Sequence, residues 1–324
     1  LLCDQLEAQQ ADSIEAHKRL VIALLDALTQ ATEQVGFDSA WARITEHFDA
    51  LFTTEWSIEQ LQKSILQLAI TGCLAPQIET EATAHESLRK IQDDRETQYQ
   101  AGLIKKPKKA APVDEVDLQF QTPSGWSFCR LADIASFENG DRSKRYPSGA
   151  DIVAEGVPFF GAHDIKRGIL TFSDELRFIT QEKFSNLSNG KLRDKDFVML
   201  LRGTVGKTAQ FFASDEYATG FINAQMLIIR PEDSEMSSYL RLFFSSPMIR
   251  RAITETKSGA VISQIPAKDV SNLLVPLPPI KEQRRIVQKA DELMAICDAF
   301  KTAVPEAQQT QLALADAITE QALP

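Results

Sequence analysis

The chain has 324 residues and a formal net charge of −10, with 35 lysine and arginine residues against 45 aspartate and glutamate residues. A chain of this length can form one or two domains with their own cores, and no apolar run approaches the roughly 20 residues that span a bilayer. The four cysteines and four histidines are scattered, without the short spacings of a zinc site. We therefore expect no bound metal, and reduced thiols in a cytoplasmic protein.

The acidic residues are concentrated towards the two ends of the chain. Residues 116–279 carry 19 basic and 19 acidic residues, whereas residues 1–115 carry 11 and 19 and residues 280–324 carry 5 and 7. The neutral middle is compatible with a basic face that binds nucleic acid, although basic pairs occur on most soluble domains. The basic clusters of this middle part are Arg142/Lys144/Arg145, Lys166/Arg167, Lys191/Arg193 and Arg250/Arg251.

The N-terminal segment, residues 1–34, is predicted to be helical. Ile14, Val21 and Leu28 recur seven residues apart, with Leu24 between them. A seven-residue apolar repeat is typical of the seam of a coiled coil.

Residues 35–117 are predicted to form a helical connector that ends in a basic linker. In the stretch SIEQLQKSILQLAITGCLAP, Ser57 and Gln60 are predicted to form a capping box, and Gly72 is the predicted stop. A further helix is expected around Ala84–Tyr99. The following run, KKPKKAAPVDEVD, is typical of a solvated linker, with phosphate contact as the alternative.

Residues 118–279 indicate a separate mixed α/β domain. The stretches KDFVMLL, AQFFA and AQMLIIRP are typical of strands, because β-branched and aromatic residues are concentrated there. The stretch SSYLRLFFSSPMIRRAITE predicts one or two helices. The stretch KSGAVISQI predicts a glycine-hinged turn that leads back to a pair of prolines.

The C-terminal segment, residues 280–324, is predicted to be a long helix. The proline pair before it suits a helix entry, and Glu282 in the first turn is favoured by the helix dipole. Pro305 is expected to kink or interrupt the helix. Apolar side chains recur at spacings of 4, 3, 4 and 3, which is typical of a coiled-coil seam. The seam residues are Ile286, Ala290, Leu293, Cys297 and Phe300.

A Cys-Asp pair occurs near both ends of the chain, at residues 3–4 and 297–298. Each pair belongs to a heptad-like segment, which favours a duplicated helix over the chance similarity of Ala- and Leu-rich helices. An exposed apolar stripe costs roughly 25 cal/mol for each Å² left in water. Two equivalent helices would bury each other's stripes, within one chain or between two copies.

Catalytic motifs are absent or incomplete in this sequence. A phosphate-binding loop needs a glycine five residues before Gly206-Lys207, and Leu201 stands there instead. A predicted strand follows, where a helix N-terminus should meet the phosphates. The stretch PLPP lacks the polar and aromatic residues of an amino-methyltransferase loop. The residues alone therefore predict a binding or assembly protein rather than an enzyme, with an unrecognised active site as the alternative.

Several stretches, in the same order, resemble the DNA-specificity (S) subunit of type I restriction-modification systems. They are SIEQLQKSILQLAITGCLAPQ with GLIKKPKK, then TPSGWSFCRLADI, LRGTVGKTAQ, FINAQMLIIRP and LPPIKEQRRIVQKADELMAICD. The last one, with its Pro-Pro-x-x-Glu-Gln-x-x-Ile-Val pattern, is the most specific. The resemblance extends over essentially the whole chain.

This resemblance implies an α+β architecture, in which a mixed α/β target-recognition domain is flanked by long helices that pair as an antiparallel coiled coil. Residues 1–34 would be the tail of the first spacer helix and residues 280–324 the second spacer, joined by the connector 35–117 and the recognition domain 118–279. A full subunit of this family has two recognition domains, each of which reads one half of a split DNA sequence. The first recognition domain is not represented in this sequence, as expected for a proteolytic fragment, a designed half-subunit or a natural half-length protein.

The implied function is to place DNA before a partner methyltransferase subunit, while restriction and translocation belong to a further subunit. No catalytic residue, metal or cofactor is then expected in this chain, and S-adenosylmethionine would bind the partner. The alternative is a free-standing coiled-coil DNA-binding regulator or adaptor, which would act without a methyltransferase. The expected partners are double-stranded DNA, modification and restriction subunits, and a second copy of the helices.

Candidate DNA contacts fall into two groups. Basic side chains suit phosphates, whereas arginine suits guanine and asparagine or glutamine suits adenine. The alternatives are solvated surface charges for the first group and structural hydrogen bonds for the second. The phosphate candidates are Arg142, Lys144, Arg145, Lys166, Arg167 and Lys207, and the base-reading candidates are His163, Arg202, Asn223 and Gln225.

Overall fold

The structure is a computed structural model, and it describes residues 2–31, 34–78, 80–104, 106, 110–118, 120–255 and 264–322. The chain divides into two compact units, one formed by Leu1–Ala69 with Gln288–Pro324 and the other by Ile70–Val287. The predicted domain limits at residues 34, 117 and 279 differ from these divisions. Most of the predicted turn in KSGAVISQI, and part of the basic linker, lie outside the described residues.

Helices account for most of the first unit, and the second unit combines helices with strands. The helices are α1 (Leu2–Thr29), α2 (Gln34–Glu46), α3 (Phe48–Leu51), α4 (Glu55–Thr71), α5 (Ala84–Gln100), α6 (Leu131–Ile134), α7 (Gln181–Asn186), α8 (Ser237–Ser245), α9 (Pro247–Glu255), α10 (Ala267–Ser271) and α11 (Ile280–Ala322).

Twelve short strands occur in the part of the chain that the structure describes. They are β1 (Ser127–Arg130), β2 (Ala135–Asn139), β3 (Ile152–Val153), β4 (Val157–Phe160), β5 (Ile165–Lys166), β6 (Ile169–Leu170), β7 (Arg177–Ile179), β8 (Phe197–Leu200), β9 (Thr208–Gln210), β10 (Phe221–Ile222), β11 (Met226–Pro231) and β12 (Leu274–Leu277). The expected mixed α/β domain with long flanking helices is confirmed.

In the first unit, the C-terminal half of α1 packs on α2 and α3. Val21 and Leu28 of the predicted seam are each 1% exposed, whereas Ile14, one heptad earlier, is 50% exposed. His17 Nε2 lies 3.1 Å from the carbonyl oxygen of Ala50 beside this contact. Two of the three heptad residues of the predicted α1 seam, Val21 and Leu28, are therefore already covered within the unit.

The cap of α4 lies one turn earlier than the sequence pattern predicted. The backbone N–H of Thr54 donates to Ser57 Oγ at 3.2 Å, and the backbone N–H of Ser57 donates to Thr54 Oγ1 at 3.1 Å. The predicted box of Ser57 and Gln60 is wrong, because Ser57 is the inner member of this reciprocal pair rather than the cap. Gly72 follows the last residue of α4 with φ of +82°, which confirms the predicted stop.

Helix α11 continues through Pro305 as one element, so the predicted interruption is wrong. A proline φ of about −65° fits a helix, and the cost is one lost hydrogen bond and crowding against the preceding turn. Side-chain contacts hold that turn: Lys301 Nζ lies 2.7 Å from Glu59 Oε1 of α4, and the ring of Phe300 lies 5.3 Å from that of Phe48 in α3.

The predicted seam of α11 is buried at Ile286, Ala290 and Cys297. Leu293 is partly buried, and Phe300 is 38% exposed although it contacts α3. Within the first unit, the contacts of α11 given above run to α3 and α4. Direct pairing of α1 with α11 stays a prediction.

The second unit contains two sheets and a two-stranded ribbon. The six-stranded sheet has the order β2-β11-β8-β9-β6-β5, the four-stranded sheet has the order β10-β4-β7-β3, and β1 pairs with β12. Apolar side chains from both sheets form one core. Its members include Phe160, Leu170, Val198, Leu200, Phe211, Ile222 and Ile228.

The start of α11 is anchored to the β1 region by a buried hydrogen bond. Trp126 Nε1 donates to Glu282 Oε1 at 2.9 Å, and Glu282 is only 2% exposed. Burial raises the pKa of the Glu282 carboxyl, although the Trp126 hydrogen bond and Arg285 oppose this. Gln283 Nε2 donates to the carbonyl oxygen of Pro278 at 2.9 Å. The Glu-Gln pair of the specific sequence pattern is therefore a structural anchor.

Candidate nucleic-acid interface

The loops that carry the predicted DNA contacts follow or precede strands at one edge of the six-stranded sheet. Strand β11 is antiparallel to β2 and β8, so its first residues lie beside the last residues of both. Met226 is opposite Leu200, and Leu227 is opposite Asn139. The loops after β2 and β8 and the turn before β11 therefore meet at this edge.

The same edge continues across the rest of the sheet. Strand β9 is antiparallel to β8, and β6 is parallel to β9, so the β8–β9 loop and the β5–β6 turn lie on the same side. That turn consists of Arg167 with φ of 50° and Gly168 with φ of 77°. Two successive residues with positive φ are typical of a type I′ hairpin turn.

The four-stranded sheet joins this edge through the β10–β11 turn. The backbone N–H of Asn223 donates to the carbonyl oxygen of Phe160, the last residue of β4, at 3.1 Å, and Gly140 N–H donates to the carbonyl oxygen of Met226 at 3.1 Å. We call the combined surface the strand-end edge. It comprises residues 140–145, 161–163, 166–168, 201–207 and 223–225.

All ten predicted DNA contacts lie on the strand-end edge, although five separate stretches of sequence supply them. Asn223 is half-buried and the others are exposed. Their role in DNA binding stays a prediction, but their convergence in one surface is observed. The nine exposed residues are Arg142, Lys144, Arg145, His163, Lys166, Arg167, Arg202, Lys207 and Gln225.

The loop after β2 holds its basic side chains in different ways. Arg142 Nε donates to the carbonyl oxygen of Ala224 at 3.1 Å, and Arg145 Nη1 donates to that of Asn186 at 3.1 Å. These two arginines therefore also brace the loop. Lys144 makes no hydrogen bond or ion pair with the rest of the described chain, so its ammonium group is available to a ligand.

A buried carboxylate shapes the same loop. Asp141 is 3% exposed, and its Oδ1 accepts the backbone N–H of Ser143 at 2.7 Å. Burial acts to raise the pKa of Asp141, but hydrogen bonds from Ser143 and Ser188 outweigh burial and leave that pKa below its usual value. The loop borders a shallow cavity of about 390 Å³ that Arg142, Arg145 and Ser188 help to line.

The β10–β11 turn lies at the centre of the strand-end edge. Asn223 Oδ1 accepts the backbone N–H of Gln225 at 2.9 Å, and the carbonyl oxygen of Gln225 accepts the N–H of Leu201 at 2.9 Å. A Cβ added at Gly140 would lie 2.1 Å from the carbonyl oxygen of Asn223. Only glycine allows this close approach between the two loops.

The β8–β9 loop contains the Gly206-Lys207-Thr208 stretch and is a hairpin connection. Gly206 N–H donates to the carbonyl oxygen of Leu200 at 2.9 Å, and Leu200 N–H donates to that of Lys207 at 2.9 Å. Strand β9 follows at Thr208, as predicted. No helix N-terminus is available here to bind a nucleotide phosphate.

Arg177, the first residue of β7, was missed in the sequence analysis. Its guanidinium carbon lies 4.7 Å from the centre of the Phe159 ring, beside the loop of residues 161–163. The stretch DELRFIT contains one isolated arginine and gives no local signal. Only the pairing of Phe159 with Arg177 across β4 and β7 places it on this surface.

Arg193, of the Lys191/Arg193 cluster, lies at the opposite ends of the strands from the strand-end edge. Arg193 precedes the start of β8, whereas the strand-end edge follows its last residue. Close by, Arg230 Nη2 lies 2.7 Å from Asp196 Oδ2, and Asp196 is buried. This pair fixes β11 beside the start of β8.

Within the part of the chain that the structure describes, no group of three or more His, Cys, Asp or Glu side chains is placed to hold a metal ion. No helix among the same residues is both long and apolar enough to cross a membrane.

Comparison with known families assigns the chain to a class of protein. Residues 123–307 match the family described as "Type I restriction modification DNA specificity domain". This match covers more than half of the chain, and the chain belongs to that family.

Individual relatives give the same result. The chain is 33% identical to the type I restriction enzyme EcoAI specificity subunit of Escherichia coli, over 99% of this chain and 54% of that protein. It is 30% identical to the EcoEI specificity subunit of Escherichia coli, again over 99% and 54%. The chain therefore spans about half the length of the curated relatives it matches.

A solved structure is also similar to this chain. The HsdS subunit from Thermoanaerobacter tengcongensis is 20% identical, with a TM-score of 0.45, and the match covers 93% of this chain and 57% of that one.

Proposed function

We propose that this chain recognises one half of a bipartite DNA target through the strand-end edge. One observation carries the proposal: five separate stretches of sequence bring ten candidate contacts to a single surface. Exposed lysine and arginine side chains on that surface suit phosphates, and the polar side chains near Asn223 suit base edges in a groove. Membership of the DNA-specificity family supports the same assignment.

The proposal extends to the partners of the chain. The chain would dock methyltransferase subunits, and through them restriction subunits, in a cytoplasmic complex. Base flipping and S-adenosylmethionine binding would belong to the methyltransferase subunit. The relatives' description as specificity subunits of type I restriction enzymes supports this division of labour.

The helices would supply the pairing surface that completes the bipartite reader. The first half of α1 and the last part of α11 carry large apolar side chains that are at least half exposed, and exposed apolar patches favour association. An equivalent pair of helices, from a second copy or from a second half-subunit, would cover them. The exposed side chains are Leu6, Ile14, Leu312, Leu314 and Ile318, at 57%, 50%, 67%, 61% and 60%.

Selection of DNA from a randomised duplex library tests the proposal. The purified full chain is incubated with the library at two salt concentrations, and the bound duplexes are sequenced. We expect one short sequence to be enriched in each selection, because base-edge contacts discriminate by about 1–3 kcal/mol per good bidentate pair. Binding without enrichment of any sequence would contradict the proposal.

A further inference from the structure

Arg177 presents its guanidinium on the strand-end edge in a fixed position. The Arg177 side chain is exposed, and its guanidinium carbon lies 4.7 Å from the centre of the Phe159 ring. Phe159 is 1% exposed, and its ring contacts those of Tyr146 and Phe221 at 5.9 and 5.3 Å. A guanidinium that lies over a buried ring is oriented before any ligand arrives.

The donors of this guanidinium are available to a ligand. Arg177 makes no hydrogen bond or ion pair with other residues that the structure describes. By contrast, Arg142 and Arg145 use donors on backbone carbonyls of their own domain. Arg177 is therefore poised for an external acceptor, although nothing in its sequence neighbourhood indicates this.

A small recess beside Gly161 brings Arg177 and Asn223 together. A Cβ added at Gly161 would lie 3.7 Å from Arg177 Nη2 and 3.6 Å from Asn223 Nδ2, so the two nitrogens lie within about 7 Å of each other. The Asp164 carboxylate is 3.7 Å from the same point, but its Oδ2 already accepts the backbone N–H of Gly161 at 2.7 Å. Asn223 Oδ1 likewise accepts the N–H of Gln225.

We propose that Arg177 determines sequence specificity by reading a guanine, with Asn223 as a second donor beside it. This inference rests on the proposed DNA-binding function and names a residue and a base within it. Both free groups are donors, so the base they fit must present acceptors. Guanine presents two acceptors in the major groove, N7 and O6, and arginine to guanine is the commonest specific contact. Successive base pairs are separated by about 3.4 Å, so the two donors can reach one base pair or two neighbours.

The test compares the full wild-type chain with Arg177→Lys, which keeps the charge and the carbon stem but loses the planar fork. Each is selected against the randomised duplex library. We expect the variant to lose its preference for guanine at one position by about 5- to 150-fold, with the other positions unchanged. Replacing that guanine by 7-deazaguanine, which lacks the N7 acceptor, should weaken binding by the wild type more than binding by the variant.

Lys144→Ala is the matched control, because it removes a cation from the same surface without a predicted base contact. It should lower affinity for all sequences alike. If Arg177→Lys does the same, or changes no base preference, the inference is wrong while the proposed function stands. If the wild type itself enriches no sequence, the proposed function is wrong, and the inference about Arg177 falls with it.

Gly161→Ala gives a second route if Arg177→Lys folds poorly. The residue has φ of −124°, which any amino acid adopts, and the added methyl would make only ordinary contacts. It should fill the recess and weaken the same guanine preference with Arg177 intact. An unchanged preference at that position would contradict the inference.

Discussion

Lys144 and Arg145 are neighbours on the strand-end edge, but their side chains have different surroundings. Lys144 has no hydrogen-bond or ion-pair partner in the described chain, whereas Arg145 donates to Asn186 and Ser188. We expect Lys144→Ala to reduce the slope of log K against log salt by about 0.9, the value for one phosphate contact on duplex DNA. Its free energy of unfolding should change by less than about 0.5 kcal/mol. Binding titrations over a range of salt concentrations and urea unfolding measure both quantities, and an unchanged salt slope would remove Lys144 from the DNA face.

Gly140 lies where two loops of the edge come closest. A methyl group there would lie 2.1 Å from the carbonyl oxygen of Asn223, so Gly140→Ala must displace the β10–β11 turn. We expect a loss of about 1–3 kcal/mol in the free energy of unfolding, together with weaker discrimination between DNA sequences. Gly36→Ala, within helix α2, is the matched control and should stabilise the protein by up to about 1 kcal/mol. Equal stability of Gly140→Ala and the wild type would contradict the close approach.

Glu282 makes stability depend on pH through its buried carboxyl. Burial raises the pKa of this group in the folded protein, so the folded state holds its proton at a pH where the unfolded chain has lost it. This contribution to stability is therefore lost as pH rises through the raised pKa. Glu282→Gln keeps an oxygen acceptor for Trp126 but cannot ionise. Its free energy of unfolding relative to wild type should thus increase between pH 4 and pH 8, as urea unfolding would measure, and a difference independent of pH would contradict the account.

The sequence indicates candidate DNA contacts only where basic or polar residues stand close together along the chain. Clusters such as Lys166-Arg167 and polar pairs such as Asn223 and Gln225 attract attention as residue types. Arg177 gives no such signal. It lies beside the ring of Phe159, 18 positions earlier in the chain, only because β4 and β7 pair in antiparallel orientation. The role of Glu282 was also missed: the dipole argument explained an acidic first turn but not its burial against Trp126.

At the scale of elements, helix α11 contains a proline, a residue that disfavours a regular helix. Pro305 lies inside the helix and removes one backbone hydrogen bond, which costs about 3 kcal/mol in a helix interior. Pro305→Ala should therefore raise the free energy of unfolding by up to that amount, since the backbone around it is already helical. Thermal unfolding followed by circular dichroism measures the change. A destabilised Pro305→Ala variant would show that proline is required for the path of α11.

Helices were easier to predict than strands for a physical reason. Periodic apolar residues and a glycine stop define α4 within one stretch of chain. Strands β3, β5, β6 and β10 have two residues each and exist only through their partners, so no local pattern marks them. The cap of α4 shows the limit for helices, because Thr54 and Ser57 are a less familiar reciprocal pair than serine with glutamine.

At the scale of the whole molecule, the exposed apolar residues of α11 bear on self-association. If they pair with a second copy, Leu314→Asp with Ile318→Asp should shift the protein towards monomer, because charges would be buried in the seam. Gln309→Asp is the matched control, since residue 309 faces the opposite side of the helix from residue 318. Sedimentation velocity over a range of concentrations measures the change. Identical sedimentation of the double variant and the control would mean that this surface does not mediate association.

The two compact units divide the chain differently from the predicted domain limits, and those limits stay a prediction. The predicted recognition domain starts at residue 118, whereas the second compact unit begins at Ile70. Helix α5 belongs to that unit because Arg95 donates to the carbonyl oxygens of Ala132 and Ala135, at 2.8 and 3.0 Å. Such contacts between distant stretches leave no trace in local composition.

Hydrogen–deuterium exchange with and without bound DNA would locate the DNA-binding surface on the chain. The enriched duplex from the selection is added to the full chain, and amide protection is mapped by mass spectrometry. We expect protection on the strand-end edge, in residues 140–145, 161–168, 201–207 and 223–225, with residues 192–196 at the opposite ends of the strands unchanged. Protection confined to residues 192–196, or to the helices alone, would contradict it.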